Sequence, residues 1–355
     1  MAEPVVRSPE QVEGRLIADA RSGNHDAFRR LTEPHYRELH VHCYRMVGSF
    51  HDAEDLVQET FLRAWRSLAT YKGRAPFRAW LYRIATNACL KEIERRPQRI
   101  LPQDIGPAAD PMLPPSPPIA EVIQLEPYPS ALLSELAGAA PDPEAVYIFR
   151  ESIELAFLTA IQLLPARQRA ALILRDVLGW SAGEVATLLE SSVASVNSAL
   201  QRARTTLGNR LPHRGTGTTG KAVSELAQQS LLVRYIHAWD EGDMNALALL
   251  LKEDAVLTMA PAPNWFQGRS AIATFFHQLC FSDHPKRYRL IATGANWQPA
   301  CAAYEWEAEA GHYRFSGIMA LRVETGQVAE ITGFGDPGLF ALFGIPEFLE
   351  AGRDS

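Results

Sequence analysis

The segment 71–99 combines aromatic and cationic side chains in a pattern suited to binding nucleic acid. From Lys72 to Arg99 it contains eight Lys or Arg and two Glu, with aromatic rings among them. In proteins that bind single-stranded DNA, such rings stack on unpaired bases while cations contact phosphates. Trp80 falls on the apolar side of the predicted helix, and we interpret it as a core residue. Tyr71 lies in a loop beside Lys72, and we predict that its ring contacts DNA.

A second polar surface lies on a predicted helix over Val193–Leu207. The helix before it begins at Ser181, which can form a capping box with Glu184, and runs to Glu190. The residues predicted to be buried between the two helices are Val185, Leu188, Leu189, Val193, Val196, Leu200 and Leu207. The residues left facing outward are Ser195, Asn197, Ser198, Gln201, Arg202 and Arg204. This layout is typical of a helix-turn-helix, whose second helix enters a DNA major groove.

Composition excludes several classes of protein. The chain has 355 residues, of which 47% are hydrophobic, so it can form packed cores and is not disordered throughout. It has no apolar run of about 18 residues, which predicts that it does not span a membrane, and its first residues lack a secretory signal pattern. Four cysteines lie far apart without a CxxC pair. We therefore expect no zinc site, no disulfide framework, no cofactor and a cytoplasmic location.

The net charge of −6 is unevenly distributed. Residues 1–100 carry a net charge of +4 and residues 146–215 carry +3. Residues 101–145 carry −7 without any Lys or Arg, and residues 216–355 carry −6. Two basic blocks separated and followed by acidic ones favour a polyanionic partner for the basic blocks.

The hydrophobic periodicity predicts the elements that position these side chains. Residues 1–96 form helices, of which one ends at Gly48 and the next is capped by Asp52. Residues 101–143 contain eleven prolines and are predicted to be an extended linker, with one apolar segment at Leu125–Pro129. Helices resume near Glu144. After Gly215–Gly220, a helical stretch precedes alternating short strands, which indicates an α+β domain with a curved antiparallel sheet around a pocket.

Three motifs resemble the sigma-70 family of RNA polymerase sigma factors. Residues His51–Trp65 (HDAEDLVQETFLRAW) are similar to the core-polymerase-binding part of region 2, and Trp80–Asn87 (WLYRIATN) to the part that melts the −10 element. Residues Val193–Arg204 (VASVNSALQRAR) resemble the recognition helix of region 4. The presence of regions 2 and 4 alone is typical of the extracytoplasmic-function (ECF) group.

This resemblance implies three sets of contact residues and two partners, core RNA polymerase and promoter DNA. The set facing the β′ clamp helices is Asp52, Glu54, Asp55, Gln58 and Glu59. The set capturing the −10 strand is Tyr71, Lys72, Arg74, Tyr82, Arg83, Asn87 and Lys91. The set reading the −35 element is Ser195, Asn197, Ser198, Gln201, Arg202 and Arg204, with region 4 also expected on the β flap. Relatives often carry Arg at the positions of Asn197 and Ala199, so a different −35 sequence is expected here.

The C-terminal part resembles a SnoaL-like domain of the nuclear-transport-factor-2-like cone fold. The resemblance rests on Tyr235–Trp239, Asp240–Asn245, Leu251–Leu257 and Trp265–Arg269. Such domains include cyclases and isomerases, so a DNA-tethered enzyme is the alternative interpretation, as is binding of an unknown small ligand. The candidate proton carriers are His237, Asp254, His277, Tyr304, His312 and Arg314. No carboxylate pair or Asp–His pair recurs among them at a spacing that dictates a site, and we favour a regulatory module without catalysis.

The sequence thus predicts a multidomain sigma factor with two all-α domains and a C-terminal α+β cone. We hypothesise that the cone packs on regions 2 and 4 through two contacts, a C-terminal tail at Leu339–Leu349 and a segment of the linker. The candidate contact residues of the linker segment are Leu125, Glu126, Pro127 and Tyr128. The predicted divisions are region 2 at 1–100, an acidic Pro-rich linker at 101–143, region 4 at 144–213, a flexible linker at 214–223, the SnoaL-like domain at 224–337 and the tail at 338–355.

Overall fold

A computed structural model describes residues 9–95, 102–117, 125–137, 143–210, 224–260, 262–281 and 287–350. The chain divides into two compact units. The first consists of Met1–Arg96 with Leu164–Arg210, and the second of Pro97–Leu163 with Leu211–Ser355. The sequence-based division assigned residues 144–163 to region 4, whereas here they belong to the second unit. The Gly215–Gly220 joint and the whole 214–223 linker lie outside the described residues.

The described part of the chain is helical as far as Leu250, and strands follow with two further helices among them. The helices are α1 Pro9–Arg21, α2 His25–Thr32, α3 Tyr36–Val47, α4 Phe50–Ser67, α5 Phe77–Arg95, α6 Pro102–Ile105, α7 Ser130–Ala137, α8 Pro143–Glu151, α9 Leu155–Gln162, α10 Ala166–Leu172, α11 Ala182–Leu188, α12 Val193–Arg210, α13 Glu225–Asp240, α14 Met244–Leu250, α15 Arg269–Phe276 and α16 Leu339–Phe343. The strands are β1 Leu251–Ala260, β2 Trp265–Gln267, β3 Tyr288–Ala295, β4 Gln298–Glu307, β5 His312–Glu324, β6 Gln327–Phe334 and β7 Phe348–Glu350.

The junction of α3 and α4 is fixed by local capping. Gly48 ends α3 in the left-handed conformation at φ 76°, as predicted, because a residue without Cβ adopts this angle freely. The predicted N-cap of α4 was wrong. Ser49 caps the helix, and its Oγ accepts a hydrogen bond from the Asp52 amide at 3.1 Å. Asp52 lies in the first turn, where its carboxylate favours the positive end of the helix dipole.

The helix-turn-helix consists of α11 and α12. The predicted capping box is present, since Ser181 Oγ accepts from the Glu184 amide and the Glu184 carboxylate accepts from the Ser181 amide. Val196 and Leu200 are buried as predicted. The prediction for Val193 was wrong, because its side chain is 45% exposed at the start of α12, one turn before the buried Val196 on the same face.

The second unit contains a curved seven-stranded sheet in the order β2-β1-β6-β5-β4-β3, with β7 on β5. Strands β3 to β6 form an antiparallel meander. The prediction of a wholly antiparallel sheet was wrong, because β1 and β6 pair in parallel. Successive hairpins make the meander, whereas β6 meets β1 from a distant part of the chain. The residues Leu339–Leu349 pack on this sheet, since Tyr304 donates to the Pro346 carbonyl at 2.8 Å.

The linker is more ordered than its proline content predicted. Ser130–Ala137 forms α7 because this stretch is free of proline and rich in helix formers. Leu125, Tyr128 and Leu133 are buried, with Leu133 at 0% exposure. The parts at 118–124 and 138–142 lie outside the described residues.

Candidate functional site

The residues predicted to contact polymerase lie on α4. Asp52, Asp55 and Glu59 line one groove of about 270 Å³, together with Arg63, Lys91, Glu92 and Arg95. Glu59 accepts a hydrogen bond from Arg63 Nε at 2.6 Å. Glu54 lies on another side of the helix, near the Tyr36 hydroxyl at 3.5 Å, and Gln58 is exposed. The groove therefore gathers three of the five predicted residues at the boundary of α4 and α5.

The exposed part of the predicted −10 set forms a stripe along α5. Arg83, Asn87 and Lys91 are exposed and follow one another at intervals of four residues, so they share a helix face. Lys72 and Arg74 are also exposed in the loop that precedes α5. Lys91 belongs to this stripe and also lines the groove on α4, which we call the acidic groove after its four carboxylates (Asp52, Asp55, Glu59 and Glu92). The two predicted surfaces therefore adjoin.

Tyr71 does not lie where the sequence predicted. Its side chain is 8% exposed, and its hydroxyl donates to the Ala75 carbonyl at 2.7 Å. The ring packs on Phe77 and Trp80, with centroids 5.7 and 5.1 Å away. Arg21 also donates to the Tyr71 carbonyl. Tyr71 thus closes the loop before α5 in this structure, and its ring is not presented for stacking on a base.

Tyr82 is buried as well, at 1% exposure. Its hydroxyl faces Glu38 Oε2 at 3.4 Å, and the Arg78 guanidinium lies 4.8 Å from the ring centroid. Burial and the Glu38 carboxylate raise the pKa of Tyr82. Burial alone would raise the pKa of Glu38, but hydrogen bonds with His35 and Arg78 lower it. This charged network fixes the tyrosine on the inner side of α5.

Region 4 residues cover the same part of α5 within the first unit. The Trp180 ring lies 5.4 Å from the Tyr82 ring, and Glu190 Oε1 accepts from Arg83 Nη2 at 2.6 Å. Arg169 is 3% exposed and donates to the Met46 carbonyl near the end of α3. Sequence reasoning missed these three residues. An aromatic residue in the turn before a helix-turn-helix was the signal available for Trp180.

All six predicted −35 residues are exposed on α12. Ser198, Gln201 and Arg202 lie opposite the buried Val196–Ala203 side, whereas Asn197 and Arg204 lie at the edge of that side. Ser195 is in the first turn, where its amide donates to Ser192 Oγ at 3.1 Å. The sequence missed Thr205, an exposed residue on the central face.

Arg204 is held by an acidic residue that sequence reasoning also missed. Its guanidinium donates to both carboxylate oxygens of Asp176, at 2.9 and 2.7 Å. These hydrogen bonds raise the pKa of Arg204. The bidentate geometry is the strong form of this pair. It joins the recognition helix to the segment after α10.

The six candidate proton carriers of the C-terminal domain do not converge. His237, Asp254 and His277 are exposed on three different elements. Tyr304 is buried and bonded to the tail, while His312 and Arg314 lie near Glu307 at the β4–β5 end. Among the described residues, no group of His, Cys, Asp and Glu could hold a metal ion.

Aromatic side chains fill the inner side of the sheet. Trp239 contacts Phe276 and Phe281, with ring centroids 5.1 Å away in each case. Tyr235 is fully buried beside it, and burial raises the pKa of Tyr235 well above its ordinary value. Burial also raises the pKa of Cys280 to about 12. The interior is therefore a packed apolar core in which charged forms are disfavoured.

The linker is bound to the C-terminal domain at two places. At the first, Trp265 Nε1 donates to the Gly106 carbonyl at 3.0 Å and the Ala109 amide donates to the Trp265 carbonyl at 2.8 Å. At the second, the β3–β4 turn receives Tyr128, whose amide donates to Asn296 Oδ1 at 2.8 Å. Of the other predicted contact residues, Leu125 and Pro127 are buried and Glu126 is half-buried.

Asn296 joins three segments of the second unit. Its own amide donates to the Tyr128 carbonyl at 2.8 Å, and its Nδ2 donates to the Ile153 carbonyl at 2.8 Å. The residue is fully buried and has φ 55°. Asparagine tolerates this left-handed conformation better than most residues. One side chain thereby connects the linker, the turn before α9 and the hairpin.

Three family models match the chain. Sigma-70 region 2 matches residues 31–98, Sigma-70 region 4 matches 154–207, and the SnoaL-like domain matches 232–331. Within the described part of the chain, no helix is long and apolar enough to cross a membrane.

Named relatives have the same order of domains or part of it. The ECF RNA polymerase sigma factor SigG of Mycobacterium tuberculosis is 42% identical over 95% of this chain and 88% of its own length. SigW of Bacillus subtilis, another such factor, is 28% identical over 56% of this chain and 95% of its own length. The crystal structure of M. tuberculosis SigJ, an extracytoplasmic function sigma factor, is similar in fold, with a TM-score of 0.58 at 23% identity, covering 88% of this chain and 96% of that one.

Proposed function

The chain belongs to the ECF RNA polymerase sigma factors, and from this premise we propose which of its surfaces meet the polymerase, the promoter and its own C-terminal domain. As a sigma factor it acts with core RNA polymerase on promoter DNA in transcription initiation. It is expected to work in the cytoplasm, with the polymerase. The observation that supports the assignment of surfaces best is the adjacency of the acidic α4 groove and the cationic α5 stripe.

The acidic groove is the contact for the β′ clamp helices. Asp52, Asp55 and Glu59 present carboxylates from one face of α4. A basic helix of the polymerase would be electrostatically complementary to them. Asp55 is exposed and thus able to meet a partner directly. Region 4 is expected to occupy the β flap. The test is promoter-directed transcription by core polymerase reconstituted with this chain, compared with core polymerase alone.

The α5 stripe captures the unpaired −10 strand. Arg83 and Lys91 would bind phosphates, and Asn87 between them offers an amide that can donate to and accept from a base edge. Tyr82 is covered by Arg78, His42 and Trp180, and it becomes a stacking platform only when this cover moves. Tyr71 stabilises the loop that carries Lys72 and Arg74. It supports DNA binding by positioning these two cations and does not itself contact the strand.

Replacement of Asn87 by Ala should impair promoter melting without loss of duplex binding. The side chain is exposed, so the substitution removes a contact to the unpaired strand at little cost in folding. Loss of one base contact is expected to lower the open-complex fraction about tenfold. Permanganate reactivity of the −10 thymines in the reconstituted holoenzyme measures this. Ser67→Ala, in the helix before it, is a control; equal opening by Asn87→Ala and Ser67→Ala would refute the assignment.

The central face of α12 reads the −35 element. Gln201 and Arg202 stand at its centre, with Ser198 beside them. Gln pairs with adenine and Arg with guanine at major-groove edges. Asn197 and Ala199 stand where relatives often have Arg, so fewer phosphates are neutralised by this helix. Arg204 contributes less, because Asp176 already binds the Nε and Nη2 edge of its guanidinium.

Arg202→Ala should therefore weaken binding to −35 duplex DNA by about 1–3 kcal/mol, and Arg204→Ala by clearly less. A promoter duplex is first obtained by selection with the full chain and polymerase, and its affinity is then measured for both variants. The two substitutions remove the same side chain two positions apart on one helix, so each is the matched control for the other. A larger loss for Arg204→Ala would show that the Asp176 pair opens on DNA.

The SnoaL-like domain regulates the sigma domains and catalyses no reaction. The candidate proton carriers lie apart, and aromatic side chains pack together on the inner side of the sheet. The domain's contacts with the linker support regulation, because the linker connects region 2 to region 4. An isomerase or cyclase needs an acid or base that faces a bound substrate. Three of the six candidates are exposed, Tyr304 is bonded to the tail, and His312 and Arg314 lie near Glu307.

A further inference from the structure

Two side chains from region 4 whose chemistry matches that of a nucleotide contact α5 in this structure. Trp180 packs on the Tyr82 ring at 5.4 Å, and Glu190 Oε1 lies 2.6 Å from Arg83 Nη2. An indole is a flat aromatic system like a base, and a carboxylate is an anion like a phosphate. Tyr82 and Arg83 are the neighbouring residues of the proposed strand-capture stripe.

The segment that presents these two side chains is held firmly. Gly179 has φ 72°, which turns the chain after the helical segment, and the Trp180 amide donates to the Leu174 carbonyl at 3.0 Å. Arg175 donates to the Trp180 carbonyl. Glu190 has φ 51°, a conformation that costs free energy for a residue other than Gly or Asn. The backbone conformation at position 190 does not favour Glu. We therefore attribute the presence of Glu at this position to the ion pair that its side chain forms with Arg83.

Region 4 is also anchored independently of these two contacts. Arg169 is buried and donates to the Met46 carbonyl near the α3 terminus and to the Leu164 carbonyl at 3.1 Å. A cation there complements the negative end of the helix dipole. The anchor keeps α10 on region 2, and Trp180 and Glu190 then project over α5. Removing both side chains would therefore open one side of the Tyr82 ring, which His42 and Arg78 also cover, and would free the Arg83 guanidinium without detaching α10.

We propose that Trp180 and Glu190 act as an internal mimic of a nucleotide, in which the indole, tilted by 57° against the Tyr82 ring, covers the side that an unpaired base would approach and the carboxylate occupies the phosphate site on Arg83. The proposal rests on the proposed role of α5 in strand capture. The contacts of Trp180 and Glu190 with α5 and the binding of a single strand to the same surface exclude each other. The free chain is thus kept from single-stranded DNA until region 4 moves away from region 2.

The test compares single-strand binding by the full chain and by Trp180→Ala/Glu190→Asn. Asn tolerates the left-handed backbone at 190, so the turn is preserved. The probe is a fluorescein-labelled single strand of randomised sequence, because stacking and phosphate contacts tolerate any sequence. Fluorescence anisotropy is expected to show about fivefold to tenfold tighter binding by the variant. Hydrogen exchange of the peptides around Tyr82 should rise in the same variant.

The matched control is Tyr147→Ala/Glu151→Gln. This pair also joins an aromatic residue to a carboxylate, with the Tyr147 hydroxyl 2.7 Å from Glu151 Oε1, and it lies on α8 outside the proposed DNA surfaces. It removes the same charge, so binding that rises equally in both variants would overturn the mimic. Adding Arg83→Ala to the mimic-free variant should abolish most of the gain, and a gain that persists would also overturn it.

Two further measurements separate this proposal from its premise. The Asn87→Ala opening assay tests strand capture in the holoenzyme without altering the mimic, so a failure of the premise is recognised there. Where the double variant unfolds by circular dichroism, Glu190→Asn alone is used, and it should still bind the single strand about twofold tighter through the freed Arg83. A folded single variant with unchanged affinity would contradict the proposal.

Discussion

Reversing Asp55 and Glu59 to Lys is expected to abolish copurification of the chain with core RNA polymerase. The two residues lie one helical turn apart on α4 and line the same groove. Against a basic partner helix, each reversal replaces an attraction by a repulsion, and like charges brought together in an interface cost several kcal/mol. The fold should survive, because the surface pair of Glu59 with Arg63 stabilises a helix by only about 0.3–0.5 kcal/mol.

The control for this variant is Asp26→Lys/Glu33→Lys. Asp26 and Glu33 are exposed in the first unit, and Asp26 forms a similar surface pair with Arg29 at 3.3 Å. The control changes the net charge by the same amount and breaks a comparable ion pair. It should bind core polymerase as the unmodified chain does. Copurification of the Asp55/Glu59 variant at the control level would refute the acidic groove as the polymerase contact.

The sequence predicted best those features that depend on neighbouring residues. The Ser181–Glu184 capping box and the Gly48 helix end are determined within one turn of helix, so spacing alone identifies them. The helix-turn-helix and the exposure of its polar face follow from a periodicity over two helices. The family matches to regions 2 and 4 and to the SnoaL-like domain agree with the motifs quoted from the sequence.

The site was predicted less well where burial depends on residues far away in the chain. Tyr71 has the composition of a DNA contact, but Arg21 and Ala75 bind its polar groups and Trp80 covers its ring. Tyr82 is covered in part by Trp180, which is almost a hundred residues later. Helical periodicity identifies the outward face of one helix, and it contains no information about what another helix places on that face.

The linker shows the same limit in a different way. Eleven prolines in 101–143 predict an extended chain, and average composition conceals the proline-free stretch that forms α7. The partner of Tyr128 is Asn296 in the β3–β4 turn, 168 residues later. The sequence also did not predict that α9 and the helix-turn-helix belong to different units. The amphipathic patterns of α8 and α9 are ordinary and do not specify which unit these helices join.

Asn296→Gly is expected to loosen the attachment of the linker to the SnoaL-like domain while leaving the hairpin intact, because the side-chain hydrogen bonds are lost and the backbone bond to the Tyr128 carbonyl remains. Glycine adopts φ 55° without strain, so the turn should keep its conformation. The substitution deletes the acceptor for the Tyr128 amide and the donor for the Ile153 carbonyl. Each buried group left without a partner costs about 1–3 kcal/mol. The second unit should therefore unfold at a lower temperature, and hydrogen exchange should increase in residues 125–137 and around Ile153.

Thr325→Gly is the matched control, because Thr325 has φ 50° and lies exposed in the β5–β6 turn. It should leave linker protection and transcription unchanged. This comparison is sharper than deletion of the whole SnoaL-like domain, because a deletion would also remove strand β3, against which α7 packs. If the domain regulates the sigma domains through the linker, Asn296→Gly must change promoter-directed transcription by reconstituted holoenzyme, upward for an inhibitory domain and downward for a scaffold. Exposed linker amides with transcription equal to the Thr325→Gly level would mean that the docked linker has no regulatory role.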